Sequence, residues 1–248
     1  MAADILKNIR FVLCETAHPG NIGAAARALK TMGLAQLVLV APAAQFPHPQ
    51  ADWLAVGAAD VLRRARVCAS LDEALAGSAL SVACTARPRE VAAPMVTARE
   101  AAARLAEVAR RQPVALVFGN ETYGLTAAEA GKCQLLATIP ADPRFSSLNV
   151  AAAVQVLAYE LRLAAMGATA RKYSGKLPEL APYEKVERFY EHLERSLLEA
   201  GFLNPRNPKK LMARLRRLFG RTQLEQEEVN ILRGVVKTLV TPKKKRAR

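Results

Sequence analysis

The chain has little cysteine, little histidine and few aromatic residues, and it has no long apolar run. Its four cysteines contain no C-x-x-C pair and its three histidines are widely separated, so local spacing provides no zinc site. No apolar run approaches the length of a membrane span, and the first residues lack the pattern of a signal peptide. We therefore expect a cytoplasmic protein with reduced thiols and with neither a metal nor a membrane as partner.

Acidic residues are also scarce relative to basic ones. The 248 residues include 36 Lys and Arg against 22 Asp and Glu, which gives a formal net charge of +14. This imbalance favours a polyanionic partner, nucleic acid before an anionic membrane. About half of the residues (51%) are apolar, which suffices for the core of one large domain with a small appendage.

The sequence does contain a series of short apolar runs separated by helical patterns. Such runs are typical of strands buried in a parallel sheet. They are found at residues 9–15, 36–41, 80–84, 114–118 and 135–139. Thr97 with Glu100 and Thr126 with Glu129 match capping boxes at two of the helix starts. The pattern predicts an α/β fold.

Three polar residues lie in or just after the loops that follow two of these runs. Glu121 follows the run at 114–118, and Ser147 and Asn149 follow the run at 135–139. In open α/β sheets a ligand binds at the carboxyl ends of strands, often near a helix N-terminus, and Ser146 or Ser147 can cap such a helix here. Each residue alone is compatible with a cap or a solvated loop. In combination they form a candidate site.

The first β-α-β unit does not match a dinucleotide-binding motif. Its loop has two glycines three residues apart, not the three of G-x-G-x-x-G, and the next strand ends at Ala41 and Pro42 without a ribose-binding acid. This excludes a nicotinamide oxidoreductase. We expect Asn21 at the N-cap of the helix in this unit. Arg27 follows three alanines, whose small side chains let a ligand approach a fixed cation; the alternative is an ordinary solvated cation.

A change of composition near Met166 divides the chain. Residues 166–183 have the prolines, glycines and scattered charge of a linker, and residues 184–240 have helical patterns that predict a small bundle. A third capping box, Thr222 with Glu225, precedes an apolar stripe that includes Ile231 and Val235. The tail at 241–248 is basic.

The middle helix of this bundle is dense in cations. Few acidic residues accompany them, so the alternatives are contact with RNA phosphates and an ordinary solvated face. The residues that support RNA contact are Lys209, Lys210, Arg214, Arg216 and Arg217. The loop after the run at 80–84 is also basic, through Arg87 and Arg89.

Three segments resemble, in order, the three motifs of the SpoU branch of the SPOUT RNA methyltransferases. They read GNIGAAAR (20–27), FGNETYGL (118–125) and IPADPRFSSLNVAAAVQVLAYE (139–160). The segments ERFYEHLE, LMARLRRLFGR and LEQEEVNILRG are similar to the C-terminal domain of one bacterial type within this branch, so the resemblance covers nearly the whole chain. One local departure is Cys84-Thr85-Ala86, where Thr-Ser-Ala is more common.

The resemblance implies a fold, a cofactor and partners that composition and spacing do not reveal. The fold is a parallel-sheet SPOUT domain, here 1–165, with a C-terminal trefoil knot, followed by a small all-helical domain. The partners are tRNA and a second copy of the chain in a homodimer, and the cofactor is S-adenosylmethionine. The residues that hold it by their position in the motifs are Thr85, Ala86, Gly119, Ile139, Ser146, Ser147 and Leu148.

The implied reaction is transfer of a methyl group to the ribose 2′-hydroxyl of a cytidine or uridine in the tRNA anticodon loop, at position 32. A related methylation of ribosomal RNA or of another tRNA loop is an alternative, as is RNA binding without catalysis. The family motifs assign the catalytic and RNA-contacting role to Arg27, acting across the dimer. Because a guanidinium stays protonated, it suits stabilisation of the growing negative charge on the 2′-oxygen better than general-base chemistry. The residues expected to orient Arg27, the ribose or the phosphate are Asn21, Glu121, Ser147 and Asn149.

Overall fold

A computed structural model describes residues 2–86, 93–167 and 179–240, without the side chains of residues 239 and 240. Its centre is a seven-stranded parallel sheet with the strand order β3-β2-β1-β6-β4-β7-β5. The strands are β1 Ile9–Cys14, β2 Gln36–Val40, β3 Arg66–Cys68, β4 Leu80–Cys84, β5 Met95–Thr97, β6 Val114–Phe118 and β7 Leu135–Thr138. Because all run in one direction, their carboxyl ends share one edge of the sheet.

Helices cover both faces of this sheet. Helices α1, α2, α3, α4, α6 and α8 share a core with one face, and α5, α7 and the start of α9 share a core with the other. This burial on both sides explains why the central strand β6 is apolar and buried at every position. The helices are α1 Ala2–Leu6, α2 Pro19–Thr31, α3 Pro49–Leu54, α4 Ala59–Arg63, α5 Leu71–Leu75, α6 Ala98–Val108, α7 Ala127–Gly131, α8 Val150–Ala165, α9 Tyr183–Glu199, α10 Leu211–Gly220 and α11 Gln226–Val240.

The predicted strands are confirmed, each within one residue of its expected end, and so are the capping boxes at Thr97 and Thr126. Two predicted caps are wrong. Helix α2 begins at Pro19 with His18 at the N-cap, so Asn21 lies inside its first turn. Helix α8 is capped by Asn149, not by Ser146 or Ser147, since the Asn149 side chain accepts hydrogen bonds from the backbone N–H groups of the following turn.

Helices α9, α10 and α11 form a small helical unit around Phe189, which is fully buried and meets Phe219 edge to face at 5.1 Å between ring centroids. The apolar stripe predicted for α11 is wrong. Ile231 and Val235 are exposed, whereas the neighbouring stripe that includes Val229 and Leu232 faces the core. Both stripes follow helical spacing, so periodicity alone did not separate them.

The start of α11 also differs from expectation. The Thr222 hydroxyl donates to the Phe219 carbonyl at 2.7 Å, and the Glu228 carboxylate accepts from the backbone N–H of Glu225 at 2.9 Å. The helix therefore begins at Gln226, and Thr222 lies in the preceding turn rather than at the N-cap.

The last residues of the predicted linker dock on the sheet domain. Leu180 exchanges two hydrogen bonds with the Gln112 side chain, at 2.8 and 3.2 Å, and Tyr183 is buried against the sheet. The Glu184 carboxylate accepts from the backbone N–H of Gly77 at 2.8 Å. Residues 180–183 thus belong to the docked interface, and residues 168–178 of the predicted linker lie outside the described residues.

All four cysteines are free thiols. Among the described residues, no helix is long and apolar enough to cross a membrane. In the same part of the chain, no group of three or more His, Cys, Asp and Glu is arranged to hold a metal ion.

Candidate active site

Three loops at the carboxyl edge of the sheet enclose a cavity of about 210 Å³. They follow β4, β6 and β7, which are neighbours in the sheet, and the N-terminus of α8 closes one side. All seven residues predicted to hold the cofactor line this cavity: Thr85, Ala86, Gly119, Ile139, Ser146, Ser147 and Leu148. Their role in holding a cofactor stays a prediction, but the structure brings them together around one space.

The loop after β6 is folded tightly against itself. A Cβ atom on Gly119 would lie 2.2 Å from backbone atoms of Gly124 and Leu125, so only glycine fits. Asn120 holds the turn, because its side chain accepts from the Thr122 N–H at 2.8 Å and donates to the Glu15 carbonyl at 2.7 Å. The loop is therefore fixed to the end of β1 before any ligand arrives.

A chain of side-chain hydrogen bonds joins the three sequence motifs. The Glu121 carboxylate accepts from the Asn21 amide at 2.7 Å and from the backbone N–H of Ala17 at 2.9 Å. The amide of Asn149 in turn donates to the Asn21 side-chain oxygen at 3.0 Å while capping α8. Asn21 thus links the loop after β6 to the start of α8, which is a positioning task that its place inside the first turn of α2 allows.

The environment of Glu121 keeps it ionised. Partial burial raises the pKa of this carboxyl, but the hydrogen bonds from Ala17, Asn21 and His18 outweigh it and hold the pKa below its ordinary value. Glu121 is therefore an anion at neutral pH, in contact with the rim of the cavity.

The charge of the cavity is opposite to that of the chain. Among its described lining residues, Glu121 is the one charged side chain, and no Lys or Arg contributes, although the chain carries a formal charge of +14. Cys84 also lines the cavity, and burial raises the pKa of its thiol to about 12, so it stays protonated and is not a nucleophile at neutral pH. The cavity suits a ligand that is cationic and partly apolar.

Arg27 lies on the exposed surface of α2 and is not among the residues that line the cavity. Its side chain makes no hydrogen bond or ion pair with any residue that the structure describes. Ala25 and Ala26 before it are fully buried, so two of the three small side chains serve packing within the chain rather than approach of a ligand. Within one chain, Arg27 is therefore available to a second molecule and does not complete its own cavity.

The basic helix α10 presents a face to solvent that we call the basic face. It consists of Lys210, Arg214, Arg217 and Arg221, which recur at helical spacing and are all exposed. Lys209, also exposed, precedes it. Arg87 and Arg89, the other cations predicted to contact RNA, lie outside the described residues.

Arg216 lies on the opposite side of α10, and this revises its predicted role. Its guanidinium donates two hydrogen bonds to the Glu187 carboxylate, at 2.6 and 2.8 Å, and lies 4.3 Å from the ring centroid of Tyr190. Both partners belong to α9, so Arg216 joins two helices of the same unit. A guanidinium engaged in this way does not fit the RNA contact that the sequence predicted.

Two residues that support the site were not predicted, namely Glu15 and Asn120. Glu15 follows β1 with a positive φ of 49°, and its carboxylate accepts a hydrogen bond from the Tyr123 hydroxyl. Asn120 is buried. The polar run after Gly119 was a usable signal for Asn120, whereas the contact with Glu15 depends on the strand order and could not be found locally.

The protein has a parallel sheet whose adjacent strand-end loops enclose a preorganised, anionic cavity, as in α/β domains that bind a ligand at this edge. Comparison with known families identifies the class of protein. The model of the SpoU rRNA methylase family matches residues 8–159, and that of the tRNA methyltransferase TrmJ C-terminal domain matches residues 184–248. The chain belongs to the SpoU methylase family, which confirms the resemblance of the three motifs and of the C-terminal segments.

Similar proteins extend over nearly the whole chain. A tRNA (cytidine/uridine-2′-O-)-methyltransferase TrmJ from Klebsiella pneumoniae is 48% identical over 238 residues, which cover 95% of this chain and 97% of the relative. A tRNA (cytidine/uridine/adenosine-2′-O-)-methyltransferase TrmJ from Pseudomonas aeruginosa is 47% identical and covers 94% of this chain and 93% of the relative. The crystal structure of TrmJ from Zymomonas mobilis superposes with a TM-score of 0.81 at 35% identity, over 93% of this chain and 98% of that one.

Proposed function

We propose that this protein is an S-adenosylmethionine-dependent tRNA methyltransferase that modifies the ribose 2′-hydroxyl of a cytidine or uridine in the anticodon loop, at position 32. The observation that carries the proposal is the contrast in charge. A chain with a basic face and a formal charge of +14 encloses a cavity whose described lining has Glu121 as its one charged residue. The anionic cavity fits a cationic methyl donor, and the basic face fits a polyanionic acceptor.

The lining supports S-adenosylmethionine as the donor. Ile139 and Leu148 offer apolar contact to a nucleobase, and the hydroxyls of Thr85 and Ser146 offer polar contacts. Gly119 has no side chain, so a ligand can approach its backbone closely. The cavity has no cation among its described lining residues to repel a sulfonium. We assign the seven lining residues that the motifs predict to binding of S-adenosylmethionine: Thr85, Ala86, Gly119, Ile139, Ser146, Ser147 and Leu148.

The protein's own contribution is positioning and electrostatics. When bound, S-adenosylmethionine supplies an electrophilic methyl group on a positively charged sulfur. The loops after β4, β6 and β7 exclude water from that group, and Glu121, Asn21 and Asn149 hold the rim in place through their hydrogen bonds. Ser147, exposed at the rim, is placed to meet the ribose or its phosphate.

We propose that a homodimer completes the site. Arg27 is exposed on α2 and lines no part of its own chain's cavity, so we assign it to the cavity of the partner subunit. There the guanidinium stabilises the negative charge that grows on the attacking 2′-oxygen and the adjacent phosphate. Its permanent charge makes it a poor general base.

The sheet order also supports the expected trefoil knot. Strand β6 lies between β1 and β4, and β7 lies on the other side of β4, so successive connections cross one another at the cavity edge. We propose that the segment from Ile139 into α8 passes through the loop formed by the preceding strands. We further propose that the enzyme acts in the cytoplasm, where tRNA is available and its four free thiols stay reduced.

A methyl-transfer assay with labelled S-adenosylmethionine tests the function. The acceptors are tRNA transcripts that each carry one 2′-deoxy nucleotide in a loop, with ribosomal RNA fragments as a parallel set. We expect transfer to every tRNA except the one blocked at position 32. Loss of transfer at another position, or transfer to ribosomal RNA alone, overturns the proposed substrate; failure to bind the donor in calorimetry indicates an RNA-binding protein without catalysis.

A further inference from the structure

Among the described residues outside the helical unit, the most exposed large apolar side chain comes directly before a segment that lines the cavity. Phe145 is 81% exposed, and the next three residues, Ser146 to Leu148, line the cavity. Phe145 itself is not a lining residue. Its ring is therefore exposed next to a segment that lines the cavity, without lining the cavity itself.

A tight turn displays this ring. The Asp142 carbonyl accepts from the backbone N–H of Phe145 at 2.9 Å, and the Asp142 carboxylate accepts from the N–H of Arg144 at 2.8 Å. The backbone is thus ordered by its own hydrogen bonds, while the Phe145 side chain stays exposed. The Arg144 side chain is 92% exposed, and its one ion pair is a solvated contact of 3.4 Å with Asp142 in the same turn.

An exposed aromatic ring next to an exposed guanidinium has the chemistry of a contact with unpaired RNA. Bases of single-stranded loops stack on aromatic side chains, and basic side chains beside them bind the phosphates. The formal net charge of +14 favours RNA as the occupant, because two copies of a basic chain repel each other. Phe and Arg are also common in protein interfaces, so contact with a second copy is one outcome of the test.

A second exposed aromatic residue near the cavity is Tyr123, in the loop after β6. It lines the cavity, its side chain is half exposed, and its hydroxyl is held by the Glu15 carboxylate. One anchored aromatic residue therefore lines the cavity, and a second, Phe145, is exposed immediately before the lining residues Ser146 to Leu148.

We propose that Phe145 is a positioning residue that stacks on the base of the nucleotide to be methylated, holding that nucleotide out of the loop stack with its ribose at the cavity mouth. This inference rests on the proposed function and adds to it the element that grips the acceptor base. Stacking on a ring face tolerates different bases, so the residue contributes affinity for an unstacked nucleotide without selecting one base.

Three variants test the proposal in the full-length protein: Phe145→Ala, Phe145→Leu and Phe145→Tyr. We expect KM for tRNA to rise ~10-fold or more in the Ala and Leu variants and to stay close to wild type in the Tyr variant. We expect kcat at saturating tRNA to change less than KM, because a stacked base is held in both the ground state and the transition state. The fluorescence of a pyrrolocytosine placed at the target position, which reports its stacking environment, is expected to change on binding to the wild type and the Tyr variant and to keep the value of free tRNA with the other two.

Three results overturn the proposal. A Leu variant that matches wild type shows that the position needs an apolar cover and not a ring. Weaker binding of S-adenosylmethionine by the Ala variant, measured by calorimetry without RNA, assigns the ring to the donor. Loss of the dimer by light scattering assigns it to the subunit contact. If the wild type itself methylates none of the RNAs, the proposed function fails first, and the variants are not needed to show it.

Discussion

The rim of the cavity and the basic face of α10 carry polar groups in opposite ways. At the rim, Glu121, Asn21 and Asn149 are joined by hydrogen bonds of 2.7 and 3.0 Å. On α10 no residue is buried, and the side chains of Arg214 and Arg217 extend into solvent without an ion pair to any described residue. The rim is preorganised, as the positioning of reacting groups requires, and the basic face is adaptable, as attraction of a polyanion requires.

Because of this difference, we expect mutations in the two regions to have different effects. A change at the rim removes a fixed hydrogen-bond partner, so it affects turnover and stability together. A change on the basic face removes charge from a solvated side chain, so it affects encounter with RNA and its dependence on salt. Arg27 combines the two, since it is exposed in one chain and is proposed to act in the site of another.

The largest effect is expected for Arg27. Arg27→Ala removes the charge proposed to stabilise the 2′-oxygen, and we expect kcat to fall about 100- to 1,000-fold. Arg27→Lys keeps the charge without the planar fork and is expected to recover only part of the loss. Single-turnover methyl transfer at saturating tRNA measures both variants. Near-normal turnover in either one contradicts the assigned role, and unchanged thermal unfolding excludes misfolding as the cause.

The next effect is expected for Glu121→Gln. The amide leaves donors such as the Ala17 N–H without an anionic acceptor, so we expect a loss of about 1–3 kcal/mol in the free energy of unfolding and a lower kcat. Because the pKa of Glu121 is lowered in the folded state, its stabilisation is complete above the ordinary carboxyl pKa and is lost as pH falls through the folded value.

Unfolding measured between neutral and acidic pH checks this linkage. The wild type loses stability on acidification, and Glu121→Gln loses less, because the variant has no carboxyl at this position. Glu199→Gln, at the exposed end of α9, is the matched control and keeps the wild-type pH dependence. Parallel curves for wild type and Glu121→Gln contradict the role given to the carboxylate.

A smaller effect is expected from the basic face. Replacing Arg214 and Arg217 by Gln removes two phosphate contacts, so tRNA affinity falls and the slope of log K against log salt decreases by about 2. Binding of S-adenosylmethionine stays the same. The control replaces Arg63 and Arg104, two exposed arginines of the sheet domain, and removes the same charge. Equal salt slopes in the two double variants show that α10 contributes only to the overall charge.

Arg216→Ala is expected to have the smallest effect on RNA binding and to lower the stability of the helical unit instead. Because its guanidinium is paired with Glu187 and stacked over Tyr190, Arg216→Ala weakens the helical unit by about 1–3 kcal/mol. Arg217→Ala, one residue away and exposed, changes the free energy of unfolding by less than about 0.5 kcal/mol. Chemical denaturation measures both. The reverse order of the two effects contradicts the inward placement of Arg216.

The same contrast explains what the sequence allowed us to predict. Strands such as Val114–Phe118 are apolar because both faces are covered, so their positions follow from local pattern. The cavity lining followed from motifs and strand ends. The bonds from Asn21 to Glu121 and from Arg216 to Glu187 were not predicted, because these partners are 100 and 29 residues apart in the chain and local spacing does not report such contacts.

The most direct test of the account combines two defective subunits in one dimer. Arg27→Ala subunits keep the cavity, and Ile139→Trp subunits, in which a large ring fills the cavity, keep Arg27. Each homodimer is expected to be inactive, and the mixed dimer is expected to contain one intact site, so that random mixing restores about a quarter of wild-type methyl transfer. Mixed dimers that form, as shown by native mass spectrometry, and that transfer no methyl group to tRNA contradict the claim that Arg27 acts in the partner's cavity.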